Sequence, residues 1–338
     1  MRVFKYFSIA ILILAGAVFW QKRQADYIQL RGYIFGTYYS IKIRTTESVP
    51  CLQETIDGQF ALVNEQMSVF TKDSVINKLN QAKKGEWIAT PKELHTVLET
   101  SAEISRQSNG AFDPTVGKLV RLWGFGPGGR NRTPAAEDIR DIMQSVGFDK
   151  IIIEDQRVSK TNEKTEINLS AIAKGYAVDL IASKLKSLGY QDFLVDIGGE
   201  VYAAGNRSNK EQGWIIGIAE PSESEHKNLM SVGLKDMAVA TSGDYNNFYY
   251  ANGKKISHTI DPKTGYPSEH NLVSATVFAS DCMKADAYAT ALMSMGEEQG
   301  IFFADKIGLA AILFIKDRNG RISSLFSKQA EKLIGGQQ

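Results

Sequence analysis

Apolar and polar residues alternate along several short segments of the chain, and a period of two is typical of β-strands. The alternation runs from Gly32 to Ile43 without interruption, so we predict one strand there. Further strands are predicted at short apolar segments bounded by turn residues, namely 193–198, 214–220, 237–241 and 274–280. Near the C-terminus, Asn319-Gly320 separates two alternating segments, which predicts a tight β-hairpin.

Helical patterns separate these strands. Residues 90–93 combine a threonine N-cap, a proline at the first helical position and a glutamate that completes a capping box, so a helix is predicted from there to Asn109-Gly110. A second helix is predicted from about Ser170 to Leu188, and Gly189 ends it. Helices interspersed with strands, together with an antiparallel hairpin, favour an α+β fold over a doubly wound parallel sheet.

The first 27 residues differ from the rest of the chain. Basic residues flank an uncharged segment from Tyr6 to Trp20. This segment is shorter than the roughly 20 residues of a membrane-spanning helix, and it suits the apolar region of a secretory signal. We therefore expect residues 1–27 to be a signal peptide or an N-terminal membrane anchor. Residues 28–338 would then form one domain on the periplasmic side of the inner membrane, or in the periplasm after cleavage.

The composition is that of a globular protein, with 43% hydrophobic and 23% charged residues among 338, so disordered and fibrous classes are excluded. The net charge is +1 and like charges form no block, which argues against a nucleic-acid groove. Cys51 and Cys282 lie far apart and in no metal-ligand spacing. Two free thiols are therefore favoured over a disulfide.

Two segments present residues that are suited to a metal and a phosphate. Asp286 and Thr290 lie four residues apart on a helix that Asp281 would begin, so their side chains share one face. Both present oxygen, the ligand that Mg²⁺ prefers, although a solvated helix face has the same spacing. Near the start of the second predicted helix, backbone N–H groups and Lys174 are suited to a phosphate, and Asn168 lies just before them.

The segment SHTIDPKTGYP at 257–267 predicts a rigid loop. Pro262 and Pro267 restrict the backbone and Gly265 allows a positive φ, so His258 would be held in one arrangement. His258 is therefore a candidate general base, with a structural histidine as the alternative.

Two glycine-rich segments are less specific. Residues 122–132 lack the Gly-Lys-Ser/Thr ending of a phosphate loop and the strand-then-helix context of a dinucleotide fingerprint. Gly198-Gly199 lie within a predicted strand and allow either a structural bulge or the close approach of a ligand.

Considered together, six motifs resemble the ApbE family of FAD:protein FMN transferases. They are AFDPTVG (111–117), LWGFG (122–126), INLSAIAKGYAVD (167–179), TSGDY (241–245), SHTIDPKTGYP (257–267) and ADAYATAL (285–292). The resemblance extends from about Tyr33 to the C-terminal hairpin. It implies an α+β, T-fold-related architecture in which a mixed or antiparallel sheet is flanked by helices, with residues 28–338 as the transferase domain.

The resemblance also implies a reaction. With Mg²⁺ as cofactor, FMN is transferred from the substrate FAD to a threonine hydroxyl of an acceptor protein through a phosphoester bond, and AMP is released. The family's acceptors are subunits of Na⁺-translocating NADH:quinone reductase and of Rnf-type complexes. The alternatives are a Mg²⁺-dependent FAD pyrophosphatase that gives FMN and AMP, a periplasmic flavin-binding protein, and a structural membrane-anchored domain.

Specific residues match the family's site. The implied metal ligands are the side chains of Asp286 and Thr290 and the carbonyl of Ala171. The implied FAD contacts are Phe35, Phe70, Ala111, Phe112, Asp113, Asn168, Lys174 and Thr259. We take His258 as the hypothesised general base because imidazole can accept the threonine proton near neutral pH, and Asp244, which follows a Ser-Gly turn, as the competing base.

The chain departs from the family pattern at three positions. Phe35 stands where the family usually has methionine, which would change packing against the flavin or adenine ring. Asn168 stands where many members have aspartate, so one negative charge near the pyrophosphate is absent. Ala17 replaces the cysteine of a lipoprotein signal box, so attachment to the membrane would depend on the N-terminal helix.

Overall fold

The computed structural model describes residues 27–45, 50–126, 133–209, 213–219, 221, 228–244, 248–251, 254–317 and 319–336. Residues 1–26, which hold most of the predicted signal or anchor, and residues 127–132 of the glycine-rich segment lie outside these ranges. Within the ranges, no helix combines the length and the hydropathy that crossing a membrane requires. Both cysteines are free thiols, Cys51 exposed and Cys282 buried.

Helices and strands intermix along the described chain. The helices are α1 (Leu52–Met67), α2 (Val75–Gln81), α3 (Lys92–Gln107), α4 (Gly117–Leu122), α5 (Ala136–Met143), α6 (Ala173–Ser187), α7 (Cys282–Ile307) and α8 (Lys328–Gly335), with a 3₁₀ turn at Phe148–Lys150. The strands are β1 (Tyr27–Ile34), β2 (Thr37–Arg44), β3 (Ile88–Ala89), β4 (Ile151–Glu154), β5 (Arg157–Lys160), β6 (Phe193–Ile197), β7 (Glu200–Ala204), β8 (Trp214–Ala219), β9 (Asn228–Leu234), β10 (Met237–Gly243), β11 (Phe248–Ala251), β12 (Lys254–Ser257), β13 (Leu272–Ala279), β14 (Ala310–Lys316) and β15 (Ile322–Phe326).

Eight of the described strands form one antiparallel sheet in the order β1-β2-β6-β7-β10-β13-β14-β15. Strands β3, β5 and β4 form a small second sheet, and β8–β9 and β11–β12 are separate hairpins. The predicted α+β class with a mixed or antiparallel sheet and flanking helices is confirmed, and the described sheet is antiparallel.

The large sheet is covered on both faces. Helix α7 packs on β10, β13 and β14, helix α6 packs on β6 and β7, and α1 packs on α6. The opposite face packs against the β8–β9 hairpin and α8. Strand β7 shows both environments, because Tyr202 and Ala204 join the core beneath the helices while Val201 and Ala203 join the other core. Alternate residues of one strand point to opposite faces, so this strand is apolar on both sides.

The predicted single strand from Gly32 to Ile43 is wrong, because the chain folds back at Phe35-Gly36 into the β1–β2 hairpin. Both turn residues have positive φ, 53° and 77°, as a two-residue type I′ turn requires. This turn pairs Tyr33 with Tyr38, so both side chains lie on the same face of the hairpin. Before the turn, the residues that face the core are therefore not the ones that the continuous alternation predicted. Tyr33 is therefore 88% exposed, although the continuous alternation placed it on the buried face.

The hairpin predicted at Asn319-Gly320 forms, and Gly198-Gly199, predicted to lie within a strand, form a second one. Strands β14 and β15 pair as predicted, but their connection spans residues 317–321 and is organised by the Asp317 carboxylate, so the turn is longer than the tight one expected. Gly198-Gly199 form a two-residue turn between β6 and β7, with φ of +66° and +103°, instead of a bulge. Glu200 consequently stands first on β7, opposite Ile197.

The N-terminus of α3 shows how tertiary contacts replace a local cap. The predicted capping box does not form, since the Thr90 hydroxyl contacts His95 at 3.1 Å instead of a backbone N–H. The side chain of Gln66 from α1 accepts the N–H of Leu94 at 3.1 Å and donates to the carboxylate of Glu93 at 3.2 Å. A side chain that is distant in sequence therefore satisfies one of the free donors at this helix end.

The other helix boundaries follow local signals closely. Helix α3 ends before Asn109 and Gly110, which both have positive φ. Helix α6 begins at Ala173, three residues after the predicted start, because the preceding residues form a turn in which the N–H groups of residues 172 and 173 both donate to Leu169. Asp281 caps α7 as predicted, accepting the N–H of Lys284 at 2.9 Å.

Candidate functional site

The site is organised by the close approach of α6 and α7. The N–H of Gly175, in the first turn of α6, donates to Asp286 Oδ2 on α7 at 3.0 Å. A Cβ atom at Gly175 would lie 2.3 Å from the carbonyl oxygen of Cys282 and 2.8 Å from the Cβ of Asp286. Only glycine therefore allows the two helices to meet at this distance and hold the carboxylate.

We expect Gly175→Ala to lower the free energy of unfolding by about 1–3 kcal/mol, because the new methyl group overlaps backbone atoms that cannot rotate away. Chemical denaturation measures this change. Gly58→Ala on the exposed side of α1 is the matched control, since nothing lies within 4 Å of a Cβ there and alanine favours a helix by up to about 1 kcal/mol. Equal stability of Gly175→Ala and the wild-type protein would contradict the packing described here.

Lys174 lies between two buried carboxylates. Its ammonium forms an ion pair with Glu200 Oε1 and lies 3.8 Å from Asp286 Oδ1. Asp286 is 2% exposed and Glu200 is 3% exposed, and the second oxygen of Glu200 has no hydrogen-bond partner among the described residues. One ammonium group therefore faces two buried carboxyl groups.

The pKa values follow from this arrangement. Burial raises the pKa of Glu200 to about 7, although the neighbouring Lys174 opposes the rise. Burial likewise raises the pKa of Asp286, against the effects of Lys174 and of the Gly175 N–H. Burial by itself would lower the pKa of Lys174, but the two carboxylates together raise it above its ordinary value. Lys174 is consequently a permanent cation at neutral pH.

Thr290 lies one helical turn after Asp286 and its hydroxyl is 3.2 Å from that of Ser242 on β10. The predicted shared face of Asp286 and Thr290 is thus directed toward the sheet and not toward solvent, which removes the alternative of a solvated helix face. The atoms presented here are oxygens of a carboxylate and two hydroxyl groups, which are hard ligands. Within the described residues, no three His, Cys, Asp or Glu side chains converge in a way that could hold a metal.

The segment that leads into α6 contains Asn168 and Ala171. Asn168 Oδ1 accepts two hydrogen bonds from Ser170, one from its backbone N–H at 3.0 Å and one from its hydroxyl at 2.6 Å. The backbone N–H of Asn168 donates to the carbonyl of Pro114. The side chain of Asn80 pairs with both backbone groups of Ile167 at 2.8–2.9 Å. These contacts fix the turn that places Ala171 two residues before α6.

Residues 111–113 are buried. Ala111 and Phe112 belong to the buried interior. Asp113 Oδ1 accepts the N–H of Thr115 at 2.8 Å and its hydroxyl at 2.6 Å, while Oδ2 accepts the N–H of Phe148 at 3.0 Å. Burial raises the pKa of Asp113 in spite of these bonds. The Asp113 carboxylate therefore tethers the 3₁₀ turn, and its predicted contact with FAD stays a prediction.

The loop that holds His258 is braced by aromatic residues of the LWGFG motif. The His258 ring meets Phe125 edge-on at 6.2 Å between centroids. Trp123 Nε1 donates to the carbonyl of Gly265 at 2.8 Å, and the Tyr249 hydroxyl donates to the carbonyl of Trp123 at 2.8 Å. Gly265 has the positive φ that the sequence predicted. The loop is thus held at both ends.

Asp244 connects this loop to the α6–α7 cluster. It follows β10 two residues after Ser242, the residue that contacts Thr290. Lys255 on β12 lies 3.3 Å from Asp244 Oδ2, and His258 follows three residues after that lysine. Asp244 Oδ1 is buried without a hydrogen-bond partner in the described part of the chain.

The remaining predicted FAD contacts are Phe35, Phe70 and Thr259. Phe35 sits in the β1–β2 turn and packs edge-on against Phe60 of α1 at 5.8 Å. Phe70, after α1, is 70% exposed. Thr259 follows His258 and its N–H donates to the hydroxyl of Ser257 at 3.1 Å.

Sequence reasoning missed Glu200, Ser242 and Asn80. Glu200 and Ser242 touch residues of the site directly, while Asn80 holds the segment before α6. A signal was present for Glu200, because a glutamate directly after a Gly-Gly turn on a buried strand needs a charged partner. Ser242 lies within the TSGDY motif, but nothing local to Asn80 indicates its role.

The comparisons with known proteins agree with this architecture. The family model described as ApbE family matches residues 35–313, and the chain belongs to that family. A FAD:protein FMN transferase of Vibrio cholerae is 36% identical over 316 residues, covering 92% of this chain and 93% of that protein. The corresponding transferase of Haemophilus influenzae is also 36% identical, over 327 residues, with the same coverage.

Solved structures give the same fold. The flavin transferase ApbE from Vibrio cholerae superposes with a TM-score of 0.84 at 34% identity, covering 91% of this chain and 99% of that structure. The apo form of the flavinyl transferase ApbE from Pseudomonas stutzeri superposes with a TM-score of 0.84 at 33% identity, covering 92% and 97%.

Proposed function

We propose that this chain is a FAD:protein FMN transferase that moves FMN from FAD to a threonine hydroxyl of an acceptor protein. The observation that best supports the proposal is the cluster of Lys174, Asp286 and Thr290 where α6, α7 and β10 meet. It places a permanent cation beside hard oxygen ligands, as a pyrophosphate with a bound cation requires. The names of the family relatives support the same activity.

The residues present fit Mg²⁺. The Asp286 carboxylate, the Thr290 hydroxyl and the Ala171 carbonyl would hold the ion, and Asp286 Oδ1 already faces a cation, the ammonium of Lys174. When bound, Mg²⁺ would offset charge on the pyrophosphate oxygens.

The protein's own groups would then carry out two tasks. Lys174 would contact a phosphate oxygen of FAD and orient the pyrophosphate. His258, or Asp244 in its place, would accept the proton of the attacking threonine hydroxyl. The new bond joins the threonine oxygen to the FMN phosphorus, and the bond from that phosphorus to the bridging oxygen breaks, so AMP leaves with the electron pair.

We further propose that the chain acts at the periplasmic side of the inner membrane, on subunits of Na⁺-translocating NADH:quinone reductase or Rnf-type complexes. The flanking basic residues and the short apolar segment from Tyr6 to Trp20 support export. Protease digestion of intact spheroplasts checks the location, since a cytoplasmic domain would be protected.

The transfer assay combines the purified chain, FAD, Mg²⁺ and an acceptor domain with an exposed threonine motif. We expect the acceptor to gain the mass of one FMN residue with equimolar AMP release, and chelation of Mg²⁺ to stop both. An acceptor whose threonine is replaced by valine is the control. Release of FMN and AMP without labelling would show a pyrophosphatase instead, and binding of FAD without either product would show a flavin-binding protein.

A further inference from the structure

We propose that Glu200 is a positioning residue that holds the Lys174 ammonium in place for the FAD pyrophosphate. This inference rests on the proposed function, because it names a residue that acts on the donor through Lys174. Glu200 matches no FAD or metal contact implied by the motifs.

The location of Glu200 indicates that its contact with Lys174 is built into the fold. The Gly198-Gly199 turn fixes the residue as the first of β7, and Gly199 also donates to Asp196 Oδ1 at 3.0 Å. Glu200 is 3% exposed and its Oε2 is buried, so a charge on this carboxylate must be stabilised mainly by protein groups. Burying a carboxylate costs several kcal/mol unless it is paired. The Lys174 ion pair offsets that cost, so the pair forms a single unit.

The geometry also explains why Lys174 needs such a partner. A lysine side chain is long and flexible, and its ammonium is a point charge without a preferred direction. Without Glu200, the nearest described carboxylate is that of Asp286, whose Oδ1 is 3.8 Å away. The ammonium would then leave its position between the two carboxylates and pair with Asp286, which is the implied metal ligand. Glu200 therefore keeps Lys174 available to the donor.

Glu200→Gln distinguishes two effects of the carboxylate on FAD binding. If Glu200 positions Lys174, the variant binds FAD more weakly; if only its negative charge matters, the variant binds FAD more tightly. Glutamine removes a negative charge beside an anionic ligand, which by itself would tighten binding. Loss of the anchor for Lys174 would instead weaken binding. Because residues of one ion-pair network are energetically coupled, we expect the Kd for FAD to rise about tenfold. Flavin fluorescence with Mg²⁺ chelated measures binding without turnover.

A double-mutant cycle tests whether the effect passes through Lys174. We expect Glu200→Gln to weaken FAD binding in the wild-type protein but to leave it unchanged or tighter in the Lys174→Ala background. Equal weakening in both backgrounds would overturn the proposal, and so would unchanged or tighter binding by the single variant.

Two further variants keep the test informative if glutamine impairs folding. Glu200→Asp retains the charge but shortens the reach, so it should also weaken FAD binding, and unchanged binding would count against positioning. Asp192→Asn is the matched control, because it breaks the 2.8 Å ion pair with Arg44 at the opposite end of the β6–β7 hairpin and should leave FAD binding unchanged. Failure of the proposed function would appear separately, as absence of acceptor labelling by the wild-type protein.

Discussion

Asp286→Asn is expected to abolish Mg²⁺-dependent FMN transfer. The substitution is nearly isosteric and its amide oxygen can still accept the Gly175 N–H, so the contact between α6 and α7 is kept. Lys174 retains Glu200 as its partner, so its charge is not left unpaired. What disappears is the charged oxygen that a divalent cation requires.

Calorimetric titration with Mg²⁺ and the acceptor-labelling assay measure the two consequences independently. Asp305→Asn near the C-terminus of the same helix is the matched control, since Asp305 pairs only with Lys328 in the described contacts and lies away from the cluster. Transfer and Mg²⁺ affinity at wild-type levels in Asp286→Asn would refute the metal assignment.

His258→Ala is expected to slow transfer by roughly 10²–10⁴-fold while FAD affinity is retained, which is the range for the loss of one general base. The bond from Trp123 Nε1 to the carbonyl of Gly265 remains in this variant, and Trp123 is itself held by the Tyr249 hydroxyl, so the substitution removes the imidazole and its contact with Phe125 while the rest of the loop stays anchored. Single-turnover labelling of the acceptor, together with flavin fluorescence, separates the chemical step from binding.

The comparison with Asp244→Asn assigns the base. If His258 accepts the proton, Asp244→Asn should have the smaller effect on the transfer rate. His95→Ala on α3 serves as a control for the loss of a histidine whose described contacts are structural. An unchanged rate in His258→Ala would move the role to Asp244 or to water.

Much of the local structure was predictable because it depends on neighbours in the chain. The strands at 193–197 and 214–219, the cap at Asp281 and the stop at Asn109-Gly110 follow from side-chain periodicity and backbone preference. The β1–β2 hairpin was missed because a Phe-Gly turn lacks the usual Asn-Gly signal and the alternation continues through it.

The sequence by itself determined the α+β class, the spacing that places Asp286 and Thr290 on one helix face, and the position of Lys174 in the first turn of a helix. Only the tertiary structure decided that this face is directed toward the sheet, that Gln66 replaces the local cap of α3, and that Glu200 meets Lys174. The reason is physical. Backbone preference and hydrophobic period act over a few residues, whereas a buried charge is stabilised by whichever partner the packing of distant elements brings within a few ångströms.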